Sequence, residues 1–126
     1  MGGSRGTVRL TFRALPTHVR TARLVAVTVA RRAGWPEGQL ESVRQGVGEA
    51  CALALRAAGP DGSLTVELDD RGPSLVARVW PVPTSTGTSD DDLPWAVLAG
   101  LTDDAAIEQQ DGVSVLRLSW VNPPAS

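Results

Sequence analysis

The sequence predicts an α+β fold of two layers, in which about three helices cover one face of a mixed, mainly antiparallel sheet. Five short segments alternate apolar with polar residues, which is typical of half-buried strands, and three others repeat apolar residues at helical spacing. These segments follow one another in the order β-α-α-β-β-loop-α-β-β. Short polar links join two of the strand pairs, which indicates antiparallel hairpins.

The first strand and the first helix are recognised by a change in apolar spacing. Residues 7–14 alternate strictly, Leu15-Pro16 breaks the pattern, and residues 18–33 repeat apolar side chains every three or four positions. Thr17 is expected to cap this helix and Gly34 to end it. The β-branched residues within the segment also alternate as in a strand. Its length and its flanking cap and glycine favour the helix.

Residues 40–58 form the most pronounced amphipathic segment of the chain. One narrow face carries small apolar residues that let a helix lie close to a sheet. They are Leu40, Val43, Val47, Ala50, Ala54 and Ala57. Glu49 is expected to point away from that face, with Leu53 beside it one turn later. Cys51 is predicted to be a small core residue.

The remaining elements follow from turn residues and alternation. They are strands at 63–69 and 75–80, a short helix at 94–101, and strands at 105–110 and 113–120 around an Asp-Gly turn. A lid-like loop is predicted at 81–93. The chain is expected to form one domain over 7–121, between a flexible start at 1–6 and a flexible tail at 122–126.

Composition excludes several classes of function. The net charge of −2 argues against a general nucleic-acid binder. No apolar run is long enough to span a membrane, no signal-peptide core precedes the domain, and there is one cysteine, so a cytoplasmic protein is expected. All basic residues are arginine, which excludes lysine-dependent chemistry, and a single histidine leaves little room for a metal site. We expect no metal.

Three local signals stand in a characteristic order along the chain. They are Leu15-Pro16 followed by Val19 to Arg23, the helix from Gly48 to Ala57, and the stretch from Trp95 to Asp103 before the last hairpin. In this order they resemble the anti-sigma-factor and serine-kinase family of the GHKL ATPases. The resemblance covers about Thr7 to Trp120. It implies the Bergerat fold, also called the histidine-kinase-like ATPase fold.

The resemblance implies an ATP site beside the second helix, and this sequence departs from that site. In the family, a glutamate on this helix acts as base, an asparagine holds magnesium, and a histidine follows. Glu49 matches the glutamate, but Leu53 stands at the asparagine position and Ala57 at the histidine position. A hydrocarbon side chain cannot supply the oxygen ligand that Mg²⁺ requires.

The other two nucleotide-binding boxes of the family are also missing. The adenine-binding box, rich in acid and glycine, falls on Trp80, Pro81 and Pro83. The glycine-rich phosphate loop falls on Asp92, Pro94 and Trp95. These positions, together with Leu53 and Ala57, are expected to form a degenerate nucleotide cleft, and no cofactor is expected. Glu49 is then vestigial as a base, and we expect a catalytically inactive protein.

The resemblance also implies partners. Arg23 matches an arginine that the family uses against its sigma factor and its antagonist. A sigma factor, a STAS-type antagonist, or both are therefore expected to bind at Arg20, Arg23 and Glu49, in bacterial transcription control. The arginines can also be read as ordinary solvated helix charges. A homodimer is expected by analogy with the family, and neither nucleic acid nor membrane is an expected partner.

Two other functions remain open from the sequence. The first is an atypical ATP-dependent serine kinase that phosphorylates the antagonist and keeps Glu49 as its base. The second is a sensor that binds a small ligand or another nucleotide in the remodelled cleft.

Overall fold

The computed structural model describes residues 6–83 and 95–121. Its strands are β1 (Thr7–Arg13), β2 (Ser63–Asp69), β3 (Ser74–Trp80), β4 (Asp104–Gln110) and β5 (Val113–Val121). Its helices are α1 (Pro16–Arg32), α2 (Glu37–Ala58) and α3 (Trp95–Leu101). The predicted α+β class and the order of the elements are confirmed.

The strands form one sheet in the order β1-β2-β3-β5-β4. All four pairings between these strands are antiparallel, so the described sheet is antiparallel throughout and not mixed. Both predicted hairpins are present. The second one turns through Asp111 and Gly112, both with positive φ, as a two-residue hairpin turn of mirror type requires.

The core lies between the helices and one face of the sheet. Alternate residues of each strand point to this face, because side chains alternate across a strand. On β3 and β5 they are Leu75, Ala77, Val79, Leu116, Leu118 and Trp120, all buried. On the edge strand β1 the same alternation is seen, with the inner residues half-buried. The opposite face carries no described helix.

Helix α1 begins earlier than the sequence predicted. Pro16 is its first residue and Leu15 its N-cap, without a side-chain cap hydrogen bond, so the prediction that Thr17 caps the helix is wrong. Proline suits the first helical position because it has no N–H to satisfy and its φ is already helical. The prediction of helix over strand is confirmed. Gly34 follows the helix with φ of 89°, as its expected role in ending the helix requires.

Helix α2 turns a wider face to the core than the sequence indicated. Leu53 is buried at 3% exposure, so it does not lie on an outer face beside Glu49. Ala57 is exposed, and Ala58 packs against the core in its place. An apolar stripe that faces a core spans more than 100° of the helix surface, which places Leu53 within it. The core position of Cys51 is confirmed, with no exposure.

Candidate functional site

Helices α1 and α2 pack side by side and leave a surface groove of about 330 Å³ between them. The residues that line it come from both helices. They are Val19, Arg23, Gln45, Gly48, Glu49 and Ala52. The structure thus brings together Arg23 and Glu49, which the sequence separates by a whole helix. Arg20 is exposed one turn earlier on α1 and does not line the groove.

Arg23 lies across the surface of α2. Its aliphatic stem rests on Gly48, where an added Cβ atom would stand 2.9 Å from Cδ of Arg23. Its Nε atom is buried and has no hydrogen-bond partner among the described residues. A buried donor without a partner is costly. The terminal Nη atoms of Arg23 are not among these buried atoms, so they are the donors open to an incoming acceptor.

Glu49 is half-buried at the same groove and forms no hydrogen bond or ion pair with another described residue. Its neighbour Gln45 donates a hydrogen bond from Nε2 to Oε2 of Glu41, at 2.8 Å. The groove is therefore lined by one guanidinium and one carboxylate that do not form an ion pair with each other. Charged groups of both signs in a shallow groove favour specific recognition of a complementary surface.

Cys51 precedes Ala52, which lines the groove, but the Cys51 side chain is fully buried and does not line it. Burial raises the pKa of the Cys51 thiol to about 12, and the nearby positive charge of Arg23 offsets part of that rise. The thiol is therefore protonated at neutral pH. A protonated, buried thiol is not a nucleophile, so the groove offers no thiol chemistry.

The predicted degenerate cleft is only partly assembled. Leu53 is buried in the core, and Trp95 packs against that core with its Nε1 atom buried and unpartnered among the described residues. Pro81 and Pro83 are half-buried, while Ala57 is exposed. The predictions for Asp92 and Pro94 lie outside the described residues. Most of the predicted loop 81–93 does so as well.

The placement of Trp80 in this cleft is wrong. Because Val79 points to the helices, Trp80 points to the opposite face of the sheet. There its ring stacks with Arg9, whose Cζ atom lies 5.5 Å from the ring centroid. Val82 packs against the core instead. Val82 is not among the residues predicted for the cleft, although it is the apolar residue between the two prolines.

Ion pairs connect the strands on the helix-free face of the sheet. The chain of pairs runs Arg9–Glu67–Arg78–Glu108–Arg117–Asp104 and touches every strand. Ion pairs at a surface contribute little singly, but several charges in a network contribute more. Their order across the strands follows the sheet register, in which Arg9 stands opposite Glu67 and Glu67 opposite Arg78.

Two absences hold for the described part of the chain. Residues 6–83 and 95–121 contain no group of three or more His, Cys, Asp or Glu side chains able to hold a metal ion. No helix within those ranges combines the length and the apolarity that a membrane crossing needs.

Comparison with known protein families gives a match over most of the chain. The family model described as the histidine kinase-like ATPase domain matches residues 12–120, from the last two residues of β1 to the residue before the end of β5. No curated protein matches the chain. The matched range includes both helices of the groove and strands β2, β3 and β4 in full.

Proposed function

The chain belongs to the histidine kinase-like ATPase domain family, and we propose that it is a catalytically inactive member that acts by protein–protein contact. In this proposal it is an anti-sigma-factor-like regulator in bacterial transcription control. Its partner is a sigma factor, a STAS-type antagonist, or both. The observation that supports the proposal best is the groove, where Arg23 and Glu49 stand together without partners among the described residues.

The interior position of Leu53 supports inactivity. The resemblance places a magnesium ligand there, but the leucine is buried in the core and carries no oxygen. Phosphoryl transfer depends on a metal ion and on phosphates held in position. Glu49 alone supplies neither, so in this proposal its carboxylate serves binding and not catalysis.

Arginine on α1 supports the choice of the groove as the binding surface. A guanidinium can pair with a carboxylate through two parallel hydrogen bonds, and arginine is enriched among residues that dominate interface energies. Arg23 is held in place by its contact with α2, while Arg20 extends the same side of α1 into solvent. A partner that covers the groove therefore meets both arginines and Glu49.

The helix-free face of the sheet is the proposed contact for a homodimer. It is a broad surface that no described helix covers, with Trp80 half-buried and Val121 57% exposed. Ion pairs between its strands hold in place the charged side chains that a second copy of the chain would contact. A homodimer formed there would leave the groove free for the regulatory partner.

Partner recovery tests the proposed function. Tagged wild-type protein is expected to recover a sigma factor or a STAS-type antagonist from a lysate of the producing bacterium. Arg23→Ala should reduce the affinity for the purified partner about 30-fold, which corresponds to roughly 2 kcal/mol for a central arginine anchor. Quantitative mass spectrometry identifies the partner, and calorimetry measures the affinity.

Arg71→Ala is the matched control, because Arg71 is an exposed arginine between β2 and β3, on neither helix of the groove. It should bind like the wild type. Recovery of neither partner class, or equal affinity of Arg23→Ala and wild type, would contradict the proposal.

A further inference from the structure

Helix α2 contains three glycines, although glycine is unfavourable inside a helix. Their surroundings differ. At Gly38 an added Cβ would meet nothing within 4 Å, and at Gly46 it would stand 2.8 Å from the ring of Trp120 in the core. At Gly48 it would meet only the side chain of Arg23 among its three nearest atoms. Gly48 thus makes room for one functional side chain and not for the core.

The aliphatic stem of Arg23 packs directly against Gly48. The added Cβ would lie 2.9 Å from Cδ and 3.6 Å from both Cγ and Nε of Arg23. Only hydrogen at this position lets the stem lie flat on α2. The flat stem carries Nε into a buried position beside the groove, where no described residue accepts its hydrogen bond.

We propose that Gly48 is a positioning residue for Arg23, and that the groove takes a partner segment that presents a carboxylate to this guanidinium. The inference rests on the proposed function, since it names the chemistry of the partner at the same groove. The guanidinium fork matches the two oxygens of a carboxylate. Val19 and Ala52 supply apolar contact for the flanking atoms of the segment.

The carboxylate of Glu49 favours a singly charged carboxylate over a more highly charged anion as the group that binds at Arg23. The Glu49 carboxylate lines the same groove and is not neutralised by an ion pair to another described residue. A phosphoryl group carries up to two negative charges at neutral pH and would be repelled more strongly than a singly charged carboxylate. The group of the partner segment that meets Arg23 is therefore a carboxylate and not a phosphoryl group.

The first test needs no partner. In ¹⁵N-labelled full-length protein, the Nε–H resonance of Arg23, assigned by its loss in Arg23→Lys, should exchange slowly with solvent. In Gly48→Ala the flexible stem must move away while the helix persists, so exchange should accelerate roughly tenfold or more. Gly38→Ala should leave it unchanged. Unaltered exchange in Gly48→Ala would overturn the positioning role.

The second test identifies the anion. Titration with acetate should shift the Arg23 Nε–H resonance of the wild type more than titration with inorganic phosphate at equal ionic strength. The shift should be lost in Gly48→Ala. A larger response to phosphate, or no response to acetate, would overturn the carboxylate assignment.

The third test uses the partner protein. Gly48→Ala should weaken binding about tenfold, and should have no further effect when Arg23 is already alanine, because it acts through that side chain. Equal losses in both backgrounds would contradict the inference. If the wild type recovers no partner, the proposed function fails, while the exchange and acetate measurements still decide the role of Gly48.

Discussion

Replacing Leu53 by asparagine, the residue that the family resemblance places there, is expected to destabilise the protein by about 3 kcal/mol. Leu53 is 3% exposed and belongs to the core between α2 and the sheet. Truncating a buried leucine costs roughly 2–5 kcal/mol through lost burial and the cavity left behind, and an amide without partners adds a desolvation cost. Urea unfolding followed by circular dichroism measures the change.

Leu53→Met is the matched control for this prediction. It conserves volume and apolarity, and such exchanges cost less than about 1.5 kcal/mol. If Leu53→Asn were as stable as the wild type, Leu53 would not be a core residue. The magnesium-ligand position would then be open, and the case for an inactive cleft would lose its main support.

Raising the pH to 10.5 is expected to lower the free energy of unfolding by about 2 kcal/mol through Cys51. Burial raises the pKa of this thiol from 9.0 to about 12 in the folded protein. Above pH 9 the unfolded chain loses a proton that the folded protein keeps, so stability falls by roughly 1.4 kcal/mol per pH unit. Below pH 9 the stability that Cys51 contributes is fully present.

The chain is favourable for this measurement because it contains no lysine and no tyrosine, whose side chains would titrate in the same range. Urea unfolding at pH 8 and at pH 10.5 gives the difference. Cys51→Ala should remove most of it, since alanine does not titrate. An equally large loss of stability in Cys51→Ala would show that the thiol is not its source.

The elements of this fold are readable from the sequence because each rests on local physics. Strict alternation identifies the strands, and Asp111-Gly112 identifies the last hairpin by the positive φ that its turn requires. The α1 segment is read as a helix from its length and from Gly34. The prediction that α1 starts after Thr17 is wrong. Thr17 is a good capping residue, but Pro16 takes the first helical position, which proline favours.

Errors at the site arise where three-dimensional packing decides. The cleft prediction placed Trp80 and Leu53 by their positions in family boxes. Because side chains alternate along β3, Trp80 lies on the face of the sheet away from the helices. Because the buried stripe on α2 is wide, Leu53 lies in the core. The meeting of Arg23 with Glu49 depends on how α1 lies against α2, which no spacing within one segment reveals.

Gly48 can be recognised in the sequence as a glycine inside a helix. A glycine inside a helix costs about 1 kcal/mol relative to alanine and often marks a close approach of another group. Three such glycines in α2 therefore pointed to contacts on its surface. Which glycine faces the core and which faces Arg23 could be decided only from the packing of Trp120 and α1.

Calorimetric titration of the wild-type protein with Mg-ATP shows whether this member of the ATPase family works without nucleotide, as we propose. We expect no saturable heat up to millimolar ATP, the same flat response in Glu49→Gln, and no difference when magnesium is removed with EDTA. Saturable binding of one ATP per chain that requires magnesium, or that is changed by Glu49→Gln, would contradict this proposal.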